Sequence, residues 1–283
     1  MQAEMSLLKA KVDDFILEEI DDEKADNTVK KYKHDILSFI DFFKDKEFIS
    51  KKDVVAYKKT LENNGMKIST INSYIVIINK YLKYLEYDAL KVQVLRVQRK
   101  TSVENVPTVA TYKRFLRAAK KHNMLDAYYL IKLYTFSGIR VSETCYITIE
   151  NLKSAKKDKC ILVKNKGKYR EIFIPKWLMR ELLGYAKLMH IKSGPIFRSK
   201  KGPLHRSTIW KKIQKVAGYA KCNKLVAHPH AFRHLFGKEM MKQNNQDYRK
   251  LADYLGHNNP NTSQIYTQLT RAEKAQEIEE FKL

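Results

Sequence analysis

The stretch 228-HPHAFRHLFGKEMMKQNNQDYRKLADYLGHNNPNTSQIY-266 decides how this chain is read. It holds four of the eight histidines: His228, His230, His234 and His257. Pro229 suits the first turn of a helix, where its missing N–H would lack a partner anyway. In such a helix His230 and Arg233 stand three apart and share one face. AFRHLFGKEMMKQ, DYRKLADYLG and TSQIYTQL read as successive helices. His257 precedes Tyr266 by nine residues.

Working outward, KWLMRELLGYAKLMH and STIWKKIQKVAGYA read as two more helices. Residues 160–174 change character: CILV, then KNKGKY, then REIFIP suggest two β-strands around a Lys-Gly turn. Lys166 directly precedes Gly167, with Lys164 and Lys168 on either side. Further upstream, TYKRFLRAAKKHN and MLDAYYLIKLYTF are helical until Ser137-Gly138 interrupts them. Arg140 follows that break, and VSETCYI, with Glu143, makes a short helix.

The first hundred residues read as a small helical bundle. Tyr32, Ile36, Phe39, Ile40 and Phe43 form one helical face. Ser50 and Asp53 resemble a capping box opening a helix that ends near Gly65. Ser69 or Thr70 starts STINSYIVIINKYLKYLEY, and an earlier helix lies between residues 5 and 20. The acidic run DDFILEEIDDEKAD is a solvated face and turn. The resulting fold expectation is mainly α with one small antiparallel β-sheet. A helical domain over 1–98 and a linker over 99–108 precede a second domain over 109–268. An amphipathic tail helix covers 269–283.

Composition narrows the function. With 283 residues, 44% hydrophobic and 30% charged, the chain has room for two cored domains and is neither disordered nor collagen-like. The net charge of +24 is divided unequally, +2 over residues 1–100 and +22 over 101–283. Such an excess speaks of polyanionic partners, nucleic acid first and an anionic membrane second. A basic membrane binder would gather its charge on one helix face, whereas here it spreads along the second domain. Cys145, Cys160 and Cys222 form no CxxC pair, which fits a reducing compartment. No signal peptide and no apolar run of membrane-spanning length is visible, so a cytoplasmic, nucleoid-associated protein is expected.

Taken together, FSGIRVSE, KNKGKYREIFIP, HPHAFRH and LGHNNPNTSQIY resemble, in order and spacing, the motifs of the tyrosine recombinase (phage integrase) family. The resemblance covers residues 107–268 well and the N-terminal bundle loosely. It implies a SAM-like core-binding domain followed by the family's catalytic domain. It implies that Tyr266 attacks a DNA phosphodiester, forming a 3′-phosphotyrosyl link and releasing a 5′-hydroxyl. Arg140 and Arg233 match the two phosphate-clamping arginines, and arginine suits that task because its fork holds two phosphate oxygens and stays charged. His230 matches the proton acceptor, His257 a hydrogen-bond donor to the phosphate, and Lys166 the lysine that protonates the leaving oxygen. Lys164 and Lys168 are alternatives for that lysine. Glu143 and His234 brace the cluster. A zinc site of His228, His230, His234, His257 and Cys222 has no CxxC or HExxH to support it, so neither metal nor cofactor is expected.

The same resemblance places STIWKKIQKV in a major groove, with Arg206, Ser207, Thr208 and Lys211 as DNA contacts. Asn72 and Lys80 become contacts of the first domain. Two domains would clamp duplex DNA, four protomers would exchange strands at short inverted repeats through a Holliday junction, and the tail would dock on a neighbour. The chain begins almost at the bundle, which favours a simple Xer-like or mobile-element recombinase over a lambda-type enzyme with an extra arm-binding domain. The rivals are an accessory DNA-binding protein without strand exchange and a type IB topoisomerase-like enzyme. A partner recombinase or accessory factor is a further possibility.

Overall fold

The computed structural model describes residues 1–96, 105–158, 160–165, 168–243, 245, 247–256, 259–267 and 279. The chain divides into two compact units, Met1–Arg99 and Lys100–Leu283.

The first unit packs α1 (Met5–Ala10), α2 (Val12–Asp21), α3 (Asp26–Phe42), α4 (Lys51–Asn63) and α5 (Ile68–Tyr84) around one core. Ile36, Phe39, Ile75, Ile78 and Tyr81 lie at its centre. The Ser50–Asp53 capping box is formed. The Asp53 carboxylate accepts from the Ser50 N–H at 2.8 Å and from its hydroxyl at 2.6 Å. The helix expected over 5–20 is divided at Lys11 into α1 and α2, so the described residues of the bundle form five α-helices, followed by a 3₁₀ turn over Asp88–Leu90. It also carries an antiparallel pair that the sequence reading lacked, β1 (Gln2–Glu4) with β2 (Phe48–Ser50), tying the N-terminus to the α3–α4 connection.

Asn72 and Asn79 stand seven apart on α5. Each holds one extended residue by both backbone groups: Asn72 grips Leu95 at 2.9 and 2.8 Å, Asn79 grips Val92 at 2.8 and 3.0 Å. Seven helical residues rise about 10.5 Å and three extended residues about 10 Å, so the two spacings coincide. An asparagine amide carries the same donor and acceptor pair as a strand neighbour, and the chain after α5 runs back along the helix as if paired to it.

The second unit is built on α7 (Leu125–Ser137), which is buried on nearly all sides through Leu130, Ile131, Leu133 and Tyr134. Around it lie α6 (Val109–Lys121), α8 (Ile149–Asp158), α9 (Lys176–Leu188), α10 (Arg206–Tyr219), α11 (Pro229–Gln243) and α12 (Tyr248–Leu255). Strands β3 (Ile161–Asn165) and β4 (Lys168–Ile172) form the expected hairpin, with Val163 opposite Arg170. A second antiparallel pair, β5 (Arg198–Ser199) with β6 (Gly202–Pro203), was not expected, nor was α8. The short helix after Arg140 is a 3₁₀ turn over Val141–Tyr146, and the segment bearing Tyr266 is 3₁₀ over Pro260–Thr267 where an α-helix was expected. Most of the expected linker, and all of the tail except Glu279, lie outside the described residues.

Candidate active site

Two helices end beside each other on left-handed glycines. Gly138 (φ 59°) closes α7 and Gly256 (φ 61°) closes α12. A helix C-terminus exposes carbonyls that lack intrahelical donors and carries partial negative charge, so it attracts cations. Here arginines fill that role. Arg233 on α11 donates Nη1 to the Gly138 carbonyl and Nη2 to the Leu255 carbonyl at 2.9 Å. Arg140 donates Nη2 to the Gly256 carbonyl at 2.8 Å. Arg170, on β4, donates Nη1 to the Tyr254 carbonyl at 3.1 Å. Three arginines from distant parts of the sequence therefore converge where two helices stop.

One carboxylate lies among them. Glu143 is fully buried; it accepts from the Arg140 N–H at 2.7 Å and from Arg140 Nη1 at 3.1 Å. Arg170 binds both of its oxygens, through Nε at 2.8 Å and Nη2 at 2.6 Å. The two expected clamp arginines differ in access: the Arg233 residue is 1% exposed, the Arg140 side chain 33%. Arg233 is pulled down to about 10 by burial and then by Arg140, which leaves it charged at neutral pH.

Tyr266 reaches this cluster from the 3₁₀ turn. Its ring is buried with Met241, Leu251 and Leu255, and its phenol hydrogen-bonds with Arg233. Burial holds the phenol pKa above its ordinary value, while the charges of Arg233 and Arg140 and the Arg233 hydrogen bond pull it back. His234 lies between the other rings, 4.3 Å from His230 and 5.3 Å from Tyr266 by centroids. His230 presents much of its surface to solvent. Crowding around its ring, and then Arg233, His228 and Arg140, keep its pKa below 6.5. His228 has a separate task, since its Nδ1 accepts from the Ala231 N–H at 3.1 Å and caps α11.

The structure thus brings together Arg140, Glu143, His230, Arg233, His234 and Tyr266. Lys166 and His257 lie outside the described residues. Lys164, one alternative, rests its ammonium 5.7 Å from the Tyr169 ring centroid. At the start of α10, Arg206, Ser207 and Lys211 are exposed and Thr208 half-buried, beside the positive end of the helix. Asn72 is occupied with Leu95, and Lys80 with the buried Glu19 and the rings of Phe15 and Tyr32. Among the described residues no group of three His, Cys, Asp or Glu is placed to hold a metal ion, and no helix is long and apolar enough to cross a membrane.

Arg170 and Gly237 were absent from the sequence reading. Arg170 had a signal: it alternates with the inward-facing Ile172 and Ile174, and an arginine on the buried side of a strand requires an acidic or carbonyl partner. Gly237 had none, because its neighbour in space, Tyr266, lies far away in sequence.

Comparisons with known proteins identify the family and the fold. Residues 106–273 match the phage integrase family, and residues 14–88 match the N-terminal SAM-like domain of phage integrases. The tyrosine recombinase XerA of Pyrococcus horikoshii is 29% identical over 266 residues, covering 92% of this chain and 89% of the relative. In fold, the chain resembles a lambda integrase dimer bound to a core site (TM-score 0.73, 16% identity, 91% of this chain and 76% of that one). It also resembles the XerH recombinase bound to its difH substrate before cleavage (TM-score 0.67, 19% identity, 88% and 78%). With the catalytic-domain match alone spanning more than half of its length, the chain belongs to the phage integrase family and is a tyrosine recombinase, a DNA strand-transferring enzyme.

Proposed function

We propose that the protein cuts and rejoins duplex DNA at a specific site, with Tyr266 as nucleophile acting within its own protomer. The observation that carries this is the Tyr266–Arg233 hydrogen bond inside the arginine cluster. A phosphodiester exchange needs little beyond positioning and charge stabilisation. Arg140, at the surface, meets the incoming phosphate, and Arg233 supports it from below. His230, kept neutral, takes the phenol proton as oxygen attacks phosphorus. The 3′-phosphate becomes linked to Tyr266, and the 5′-oxygen leaves, taking a proton from Lys166. His257 donates a hydrogen bond to the phosphate. The new ester conserves the energy of the old one, so the 5′-hydroxyl of another strand reverses the step without ATP.

Exchange between two duplexes requires two cuts in each, hence four protomers on two inverted-repeat sites and a Holliday junction between the rounds. The +22 charge of residues 101–283 supplies the phosphate attraction, and Arg206, Ser207, Thr208 and Lys211 are the groove contacts. The protein then works in the cytoplasm on nucleoid DNA.

Covalent capture tests the reading. Wild type and Tyr266→Phe are incubated with sheared genomic DNA of the source organism, denatured, and the linked DNA sequenced. Adducts confined to wild type and converging on one inverted repeat are expected. Scattered adducts indicate a topoisomerase-like enzyme. Firm binding with no adduct indicates an accessory protein.

A further inference from the structure

We propose that Arg170 is a positioning residue for strand cleavage: it is the counter-cation that keeps Glu143 from neutralising Arg140. The proposal rests on reading the cluster as a phosphodiester clamp. A carboxylate as buried as Glu143 must be paired, and among its described partners are two arginines. Arg170 holds it by the stronger geometry, a two-pronged fork at 2.8 and 2.6 Å, against one side-chain contact of 3.1 Å from Arg140. The partners also differ in depth, for the Arg170 side chain is 12% exposed and that of Arg140 33%. The inner arginine therefore matches the carboxylate, and the outer one keeps its charge for the ligand.

Arg170 also fixes the backbone that aims Arg140. A β-carbon on Gly256 would lie 2.5 Å from Arg170 Cδ, so the arginine stem rests directly on that glycine. The Gly256 carbonyl is the one that receives Arg140 Nη2. All three nitrogens of the Arg170 guanidinium are donating into the protein, to Glu143 and Tyr254, so Arg170 acts through Arg140 and not on the DNA. Without it, Glu143 would draw Arg140 inward, and a phosphate would meet a neutral pair. The loss should fall on the rate and spare DNA affinity, which many other cations supply.

The test measures adduct formation on end-labelled, sheared genomic DNA with wild type, Arg170→Met, and Arg170→Met combined with Glu143→Gln. The single variant should be slower by about a hundredfold, the cost of losing one transition-state donor, with half-saturating DNA within about twofold. Removing the carboxylate as well should recover at least about tenfold of that loss, because nothing then neutralises Arg140. A double variant no faster than the single one overturns the proposal, as does an Arg170→Met enzyme of wild-type rate. A rate that recovers only in step with the melting temperature also overturns it, because relief of a stranded carboxylate alone would give that. If Arg170→Met fails to fold, the double variant decides alone, since it removes both members of the buried pair. A rate within about tenfold of wild type supports the proposal, and an inactive but folded protein overturns it. Inorganic phosphate binding, read by phosphorus NMR against an Arg140→Met reference, should rank the three proteins in the same order. A wild type that forms no adduct tells against strand cleavage alone, and the phosphate ranking still decides the role of Arg170.

Discussion

The ring of Tyr266 occupies the space where a side chain at position 237 would stand. A β-carbon built on Gly237 would lie 2.5 Å from Tyr266 Cε1 and 2.6 Å from Cδ1. Both residues are buried, and Gly237 sits inside α11, where glycine costs about 1 kcal/mol relative to alanine. The helix therefore gives up stability where the nucleophile needs room.

Gly237→Ala tests this directly. The helix should gain, but the phenol should be pushed off Arg233, and adduct formation should fall by at least about a hundredfold, since a 1 Å misplacement is that costly. Binding to DNA should change little. Trapping gels and mobility shifts on the same DNA read the two quantities.

A second expectation concerns pH. His230 is held below 6.5, so it stays neutral through physiological pH, and the acid limb of the cleavage rate should lie below pH 6.5 and move or vanish in His230→Gln. His228 is lowered as well, by burial. For both groups the unfolded chain binds protons more readily than the folded one below 6.5. Stability should hold above that pH and decline as pH drops through the lowered values. Thermal melting between pH 7.5 and pH 5 (roughly one unit above and about 1.5 below the ordinary imidazole value) measures it.

Lys80 pairs with Glu19, whose residue is 2% exposed. Lys80→Met should destabilise the first unit by about 1–3 kcal/mol, because it strands a buried carboxylate. Adding Glu19→Gln should return most of that. Denaturant unfolding checks both steps.

DNA affinity should fall steeply with salt, by about a thousandfold or more between 50 and 200 mM if six or more phosphates are contacted. A nearly flat titration would contradict a phosphate-binding role for the basic second unit.

Much of the site was legible because its chemistry lies in short local motifs. His230 and Arg233 are one helical turn apart, and the break at Gly138 announces Arg140. The β3–β4 hairpin was visible as two apolar runs and a turn. What escaped was decided by tertiary packing. The three-residue strands β1 and β2 are too short to show a period. The turn carrying Tyr266 is 3₁₀, although its apolar spacing resembles an α-helix. The bond between the Asn72 amide and Leu95 also escaped, because the two residues lie 23 apart and no local pattern reveals the pairing.

The asparagine pair on α5 also bears on how the protein is taken apart. The secondary structure invites a cut after Tyr84 or after the turn at Asp88–Leu90. A fragment ending there would leave Asn72 and Asn79 facing water, and would drop Val92, which is 6% exposed and part of the core. The smallest self-sufficient piece of the first unit therefore runs through Leu95. Any exchange of this unit between relatives must carry those last residues with the helix that holds them.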